Sequence, residues 1–258
     1  MQNQSKKSSS SSVLPLIIIA VVLGAAIAGA YYLYSNSQAS VNSNKNSATA
    51  SNSGRTPQTA TNAPPGATPP NMLGSPTAAV TVEEFADFQC PSCATSHPVM
   101  KEVQQVYGSR IKFIFRHFPL SMHDKAYEAA VAAEAAGEQG KFWAMQDQLF
   151  SNQQTWANSP NYRQLWVEYA QKIGLDVDKF QTAMAGIATK NRVDQDAARA
   201  RGMGVSSTPT VYVNGRSIPY PELKVASLRQ IIDAELQQAA ASSSQARSGN
   251  SNSAANAK

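Results

Sequence analysis

The chain has only two cysteines, Cys90 and Cys93, and they stand three positions apart in the tetrapeptide Cys90-Pro91-Ser92-Cys93. A disulfide-stapled scaffold needs several distant pairs, so a hydrophobic core must hold this chain together instead. An all-cysteine zinc site within one chain is excluded as well. Attachment of haem through CxxCH fails because Ala94, not His, follows Cys93. The flanks of the pair say more. Val80–Phe85 is β-branched and apolar, which predicts a strand. Val99, Met100, Val103, Val106 and Tyr107 recur at helical spacing, which predicts a helix from about Pro91 to Tyr107, closed by Gly108. Ile111–Phe118 is a second strand, ended by Pro119. Strand, helical crossover and strand imply a parallel pair, with the cysteines at the first strand–helix junction.

The rest of the chain divides by composition. Residues 1–12 are polar and Ser-rich, a cytoplasmic N-terminus. Residues 13–34 carry no charge and no Asn or Gln. At about 1.5 Å per residue they would span roughly 33 Å, a bilayer's hydrocarbon thickness. Lys6 and Lys7 precede this run, and the next basic residue is Lys45. The expected topology is therefore a single pass with everything after it outside, and Tyr31, Tyr32 and Tyr34 at the interface. A cleaved signal peptide is the alternative; both readings export the domain. Residues 35–70 and 239–258 are Ser-, Asn- and Ala-rich and are expected to be disordered. The former would act as a leash of roughly 30–36 Å r.m.s. span. Residues 71–238 are long enough for one domain with a full core.

Within that domain, His123–Gly137, Lys141–Phe150, Tyr162–Ile173, Val177–Met184 and Lys190–Met203 have helical character, making a helical insertion over about 120–203. Pro209–Val213 and Arg216–Pro219 flank Asn214-Gly215, a strong hairpin signal. A closing helix is expected from Pro221 to Gln238. The net charge is +5, yet no run of five basic residues exists, and Arg192, Arg199 and Arg201 are interspersed with Asp194 and Asp196. A solvated helix face, not a nucleic-acid surface, is expected there.

A thiol at a helix N-terminus meets unpaired N–H groups and the positive end of the helix dipole, which favour its anion. Pro91 suits the first turn, where its missing N–H costs nothing. Lowering a thiol from about 8.5 by about two units takes it from about 3% to about 75% thiolate at pH 7. Cys90 is thus the expected exposed nucleophile, and Cys93, one turn in, the buried resolving thiol. A four-residue disulfide loop would contribute only about 2 kcal/mol as a staple, which argues against a purely structural pair. A zinc site would have to recruit His97 with His117 or His123.

The stretches VEEFADFQCPSC at 82–93 with His97-Pro98, FRHFPL at 115–120, GKFWAMQDQLF at 140–150 and GVSSTPTVYVNGR at 204–216 resemble the DsbA-like thioredoxin family. The resemblance covers the whole exported domain. It implies a thioredoxin fold, a mixed sheet flanked by helices with an inserted helical domain, and a protein disulfide oxidoreductase that needs no cofactor and no metal. It also implies that Pro98 kinks the first helix and that Thr208-Pro209 is a cis-proline loop facing the cysteines and pairing with substrate. Glu84, six residues before Cys90, takes the position of a buried acid that assists proton transfer, with Asp87 as second choice and Glu83 facing the other way. Ser92 departs from the pattern of strong oxidants, which place a histidine before the second cysteine. Direction of electron flow is therefore open. The expected partners are exported cysteine-bearing proteins and a membrane or thioredoxin-like redox partner, and the expected state is a monomer. The competing functions are a tethered, redox-inactive binding or chaperone module and a metal-binding CxxC/His protein.

Overall fold

The computed structural model describes residues 62–255, with side chains to residue 245. The segments at 1–12 and 13–34 and most of the 35–70 linker lie outside the described residues. Among those described, no helix is long and apolar enough to cross a membrane.

Five strands form one mixed sheet. They are β1 (Asn71–Gly74), β2 (Val80–Ala86), β3 (Ile111–His117), β4 (Thr210–Val213) and β5 (Arg216–Ile218), in the order β1-β3-β2-β4-β5. β2 and β3 are parallel, joined by helix α1 (Pro91–Tyr107); the other pairs are antiparallel. β2 is the central strand, buried on both faces, which is why its sequence runs without clean alternation. The insertion comprises α2 (Ala126–Gly137), α3 (Phe142–Ser151), α4 (Gln153–Ala157), α5 (Tyr162–Lys172), α6 (Val177–Ala185) and α7 (Ile187–Gly202), and α8 (Val225–Ala255) closes the chain. At the hairpin, Asn214 and Gly215 both take positive φ, 47° and 78°, as a primed turn requires.

The structure corrects the sequence expectations in four places. β1 differs from the sequence expectation: NMLG has no β-branched residue and acquires its strand geometry from pairing with β3, 44 positions away at Asn71–Phe115 in a register of Cα partners that includes Met72–Ile114. Helix α4, five residues long, was also missed. The closing helix starts at Val225 because Tyr220–Glu222 form a 3₁₀ turn, and it runs through the tail expected to be disordered from 239. Alanines there favour helix.

The fourth correction concerns residues 64–70, assigned to the linker, and the arginines of α7. Arg116 on β3 donates to Glu83 (2.9 Å) and Asp196 (2.8 Å), and Arg199 grips both Glu83 oxygens at 2.8 Å. Glu134 accepts from His117 (2.8 Å), Asn71 (2.6 Å) and Arg192 (2.5 Å). Arg192 and Arg199 are thus partners of buried carboxylates, not members of a solvated face. Their remaining N–H groups, with those of Arg116, are capped by the carbonyls of Pro64, Pro65, Ala67 and Pro69. Composition does not reveal such a strap because its backbone, not its side chains, makes the bonds. Gly66, at φ 79°, leaves no room for a Cβ, which would meet Arg116 at 2.7 Å. Replacing Arg199 with Ala is expected to destabilise the domain by about 1–3 kcal/mol, because Glu83 stays buried with one partner fewer. Urea unfolding measures the loss, and hydrogen exchange should rise first at Gly66, Ala67 and Thr68, the strap residues that carry an N–H; unchanged exchange there would refute the strap's dependence on Arg199.

Candidate active site

β2 ends at Ala86 and α1 begins at Pro91, so residues 87–90 form the turn that delivers the thiols. Cys90 is the N-cap of α1, in extended conformation (φ −72°, ψ 121°). Its carbonyl accepts from the N–H groups of Cys93 (3.1 Å) and Ala94 (3.2 Å), which starts the helix. Both cysteines are free thiols. Cys93 is wholly buried; Cys90 is 7% exposed, less open than expected of an attacking thiol, because the Thr208 carbonyl covers it at 3.4 Å. The Thr208–Pro209 peptide is cis. The Thr208 hydroxyl is buried and has no hydrogen-bond partner among the described residues.

The two thiols differ in acidity. Cys90 is brought down to about 5, chiefly by the hydrogen bond from the Cys93 thiol, against the opposing effect of burial. The Thr208 hydroxyl and the N–H groups of Cys93 and Ser92 add to the lowering. Cys93 is pushed well above its ordinary value, first by burial and then by its neighbour Cys90. An Asp87 N–H lies 3.5 Å from the Cys93 sulfur.

Three carboxylates surround β2 and its end. Glu84 is 2% exposed, and burial alone raises it to about 8. It forms no hydrogen bond to either sulfur among the described residues; its Cα partner across the sheet is Val211, two positions after Pro209. Glu83, on the opposite face by strand alternation, is held by Arg116 and Arg199. Burial works to raise Glu83, and the hydrogen bonds and charges of those arginines outweigh it, leaving its carboxyl lowered. Asp87 accepts from the N–H groups of Gln89 (2.7 Å) and Leu120 (2.9 Å) and pairs with His123 Nδ1 at 2.7 Å.

The histidines do not gather around the thiols. His97 pairs with Asp147 at 3.0 Å, His117 with Glu134, and His123 with Asp87. The candidate metal-donor cluster among the described residues is His117, Glu134 and Asp196, with no cysteine in it. Its carboxylates are already matched by Arg192 and Arg116, so the residues there do not fit a further cation. Pro98 lies within α1, as expected.

One contributor escaped the sequence reading. Gln153, at the start of α4, is 4% exposed and donates from Nε2 to the carbonyls of Phe88 (2.7 Å) and Cys90 (2.9 Å). Nothing in the spacing of a Gln within Asn152–Gln154 signals this contact. Phe88 itself stacks on Phe115 and packs against Phe150 of α3 at 4.7 Å between ring centroids, so the insertion abuts the redox turn.

A sequence model of the thioredoxin family matches residues 67–234, well over half the chain. The chain belongs to the thioredoxin family. Among solved structures, α-DsbA1 of Wolbachia pipientis shares this fold with a TM-score of 0.58 and 20% identity, covering 68% of this chain and 94% of that one. A thioredoxin-like oxidoreductase from Silicibacter pomeroyi DSS-3 is 25% identical with a TM-score of 0.52, covering 64% and 91%. The family match and these neighbours together show a thioredoxin fold of the kind found in DsbA proteins. Among curated proteins, the Na(+)/H(+) antiporter NhaA 3 of Salinispora tropica is 41% identical over 147 residues, covering 57% of this chain and 22% of that protein. The chain therefore spans about a fifth of the length of the curated relatives it matches.

Proposed function

We propose that this protein exchanges disulfides with exported, cysteine-bearing proteins through Cys90 and Cys93. The observation that carries the reading is the paired free thiols at a strand–helix junction, with the Thr208 carbonyl before Pro209 laid against Cys90. Cys90 attacks a substrate disulfide, or is attacked when its own bond to Cys93 is oxidised. In the first case Cys93 then attacks Cys90, re-forming the Cys90–Cys93 bond and releasing the substrate as thiols; in the second Cys93 leaves as the thiol, a second substrate thiolate attacks the mixed disulfide, and the substrate departs oxidised with Cys90 as thiolate. An extended substrate segment pairs with the backbone at Thr208 and Pro209. Glu84, whose raised value keeps it able to exchange a proton near neutrality, assists Cys93. Pro91 and Ser92 shape the turn without adding charge.

The setting we propose is the outer face of the cytoplasmic membrane, with residues 13–34 as a single-pass anchor and the domain a monomer on the extracytoplasmic side. The antiporter names of relatives that match this domain are consistent with work beside a membrane. A membrane or thioredoxin-like partner recycles the pair. The acidity of Cys90 favours the oxidase direction, because a stable thiolate stabilises the reduced protein.

Equilibration against a glutathione series tests this. A value of about 5 for Cys90 lies between those of thioredoxin and strong oxidants, so a potential of roughly −200 mV is expected. A potential near about −270 mV would reverse the direction. Absence of any Cys90–Cys93 disulfide would remove the exchange function itself.

A further inference from the structure

The turn that carries Cys90 is held by a side chain from outside the sheet. Cys90's carbonyl already serves the two N–H groups that open α1, and the Gln153 carboxamide adds a third donor. The same nitrogen donates to Phe88, two residues earlier, so one buried amide bridges both ends of the last step into the helix. Because Pro91 has no N–H, the first backbone donors able to face the Cys90 sulfur are Ser92 and Cys93. Their aim depends on the orientation of the peptide that begins with the Cys90 carbonyl. On the other side of the turn, Asp87 fixes Gln89 and the Leu120–His123 loop.

We propose that Gln153 is a positioning residue for the redox pair: its carboxamide fixes the Cys90 carbonyl and thereby keeps the Ser92 and Cys93 N–H groups aimed at the Cys90 sulfur. The helical insertion thus tunes the chemistry of the sheet domain through one side chain. The inference rests on the exchange function proposed above. In the relevant equilibrium, two glutathione thiols are oxidised to one disulfide and the Cys90–Cys93 bond takes up their two electrons and breaks. One of the two protons goes to Cys93 and the other to solvent, while Cys90 stays as thiolate. Whatever weakens that thiolate makes the protein disulfide harder to reduce.

The test compares the full chain with Gln153→Leu, which keeps size and removes the donor. We expect the Cys90 thiolate absorbance to titrate about one unit higher. The disulfide should become about tenfold harder to reduce with glutathione, equal to about 30 mV. A Gln153→Leu protein with a lower Tm but the wild-type titration and glutathione equilibrium would overturn the proposal, since a purely structural role moves only the Tm. If Gln153→Leu does not fold, Gln153→Asn, one methylene short of the two carbonyls, is read in the same way. Wild-type protein that forms no disulfide defeats the exchange function; wild type that forms one, matched by the variant, defeats only the role of Gln153.

Discussion

Replacing Cys90 with Ala should reduce disulfide exchange to background, while replacing Cys93 with Ala should leave a protein that attacks and cannot let go. The asymmetry follows from burial and acidity together. At about 5, Cys90 is about 99% thiolate at pH 7, some thirtyfold more than an ordinary thiol. Cys93, wholly buried and raised, contributes almost no thiolate until its neighbour is consumed. Incubation of Cys93→Ala with a disulfide-bonded substrate should therefore accumulate a mixed disulfide through Cys90, visible on a non-reducing gel and absent from the Cys90→Ala protein. In the wild-type protein the attack rate should hold its plateau down to about pH 5 and fall below it, whereas in Cys93→Ala, which lacks the hydrogen bond that chiefly lowers Cys90, the fall should begin at higher pH. Full activity in Cys90→Ala, or a trapped complex through Cys93 alone, would overturn the assignment. A binding or chaperone module predicts instead that both replacements leave the phenotype intact.

The second large effect is expected at Glu84. Its carboxyl lies at about 8 in the folded protein and at its ordinary 4.5 when unfolded. Between those values the folded state holds the proton and the unfolded state does not. Stability therefore falls as pH rises through that window, by up to roughly 3–4 kcal/mol at pH 7. Glu84→Leu removes the titrating group and should be more stable than wild type by about 3 kcal/mol at pH 7, with the gain close to vanishing near pH 4.5. The same variant should slow release of the mixed disulfide by roughly tenfold to a hundredfold, since Cys93 loses the carboxyl whose ionised fraction, about a tenth at pH 7, takes its proton. Denaturant unfolding across the pH range reads the first effect and stopped-flow exchange the second. Parallel pH profiles for the two proteins would show that Glu84 does not titrate in this window.

The sheet domain was legible because its signals are local. The apolar run of β2, the helical spacing after Pro91 and Asn214-Gly215 each declare their element within a few residues. Glu84 and Glu83 separated correctly because strand alternation fixes opposite faces. Even so, Glu83 meets arginines instead of water, since α7 covers that face. What stayed hidden depends on residues far apart in the chain. β1 exists through β3, the strap at 64–70 through arginines about 50 to 135 positions away, and Gln153 through carbonyls 63 and 65 positions away. Hydrogen bonds between a side chain and a distant backbone leave no periodic trace. The openness of Cys90 was overestimated for the same reason, because its cover comes from Thr208.

That last contact spans 118 positions. It joins a turn made early in the chain to a loop made near its end, and β4 then inserts beside β2 as the sheet's fourth strand in order. During vectorial synthesis, Cys90 emerges long before the segment that covers it. The nascent chain therefore carries its cysteines without the Thr208 carbonyl and hydroxyl that complete their surroundings. Mature reactivity is acquired only on completion of the polypeptide, so a ribosome stalled before residue 208 leaves a pair of cysteines without the finished site.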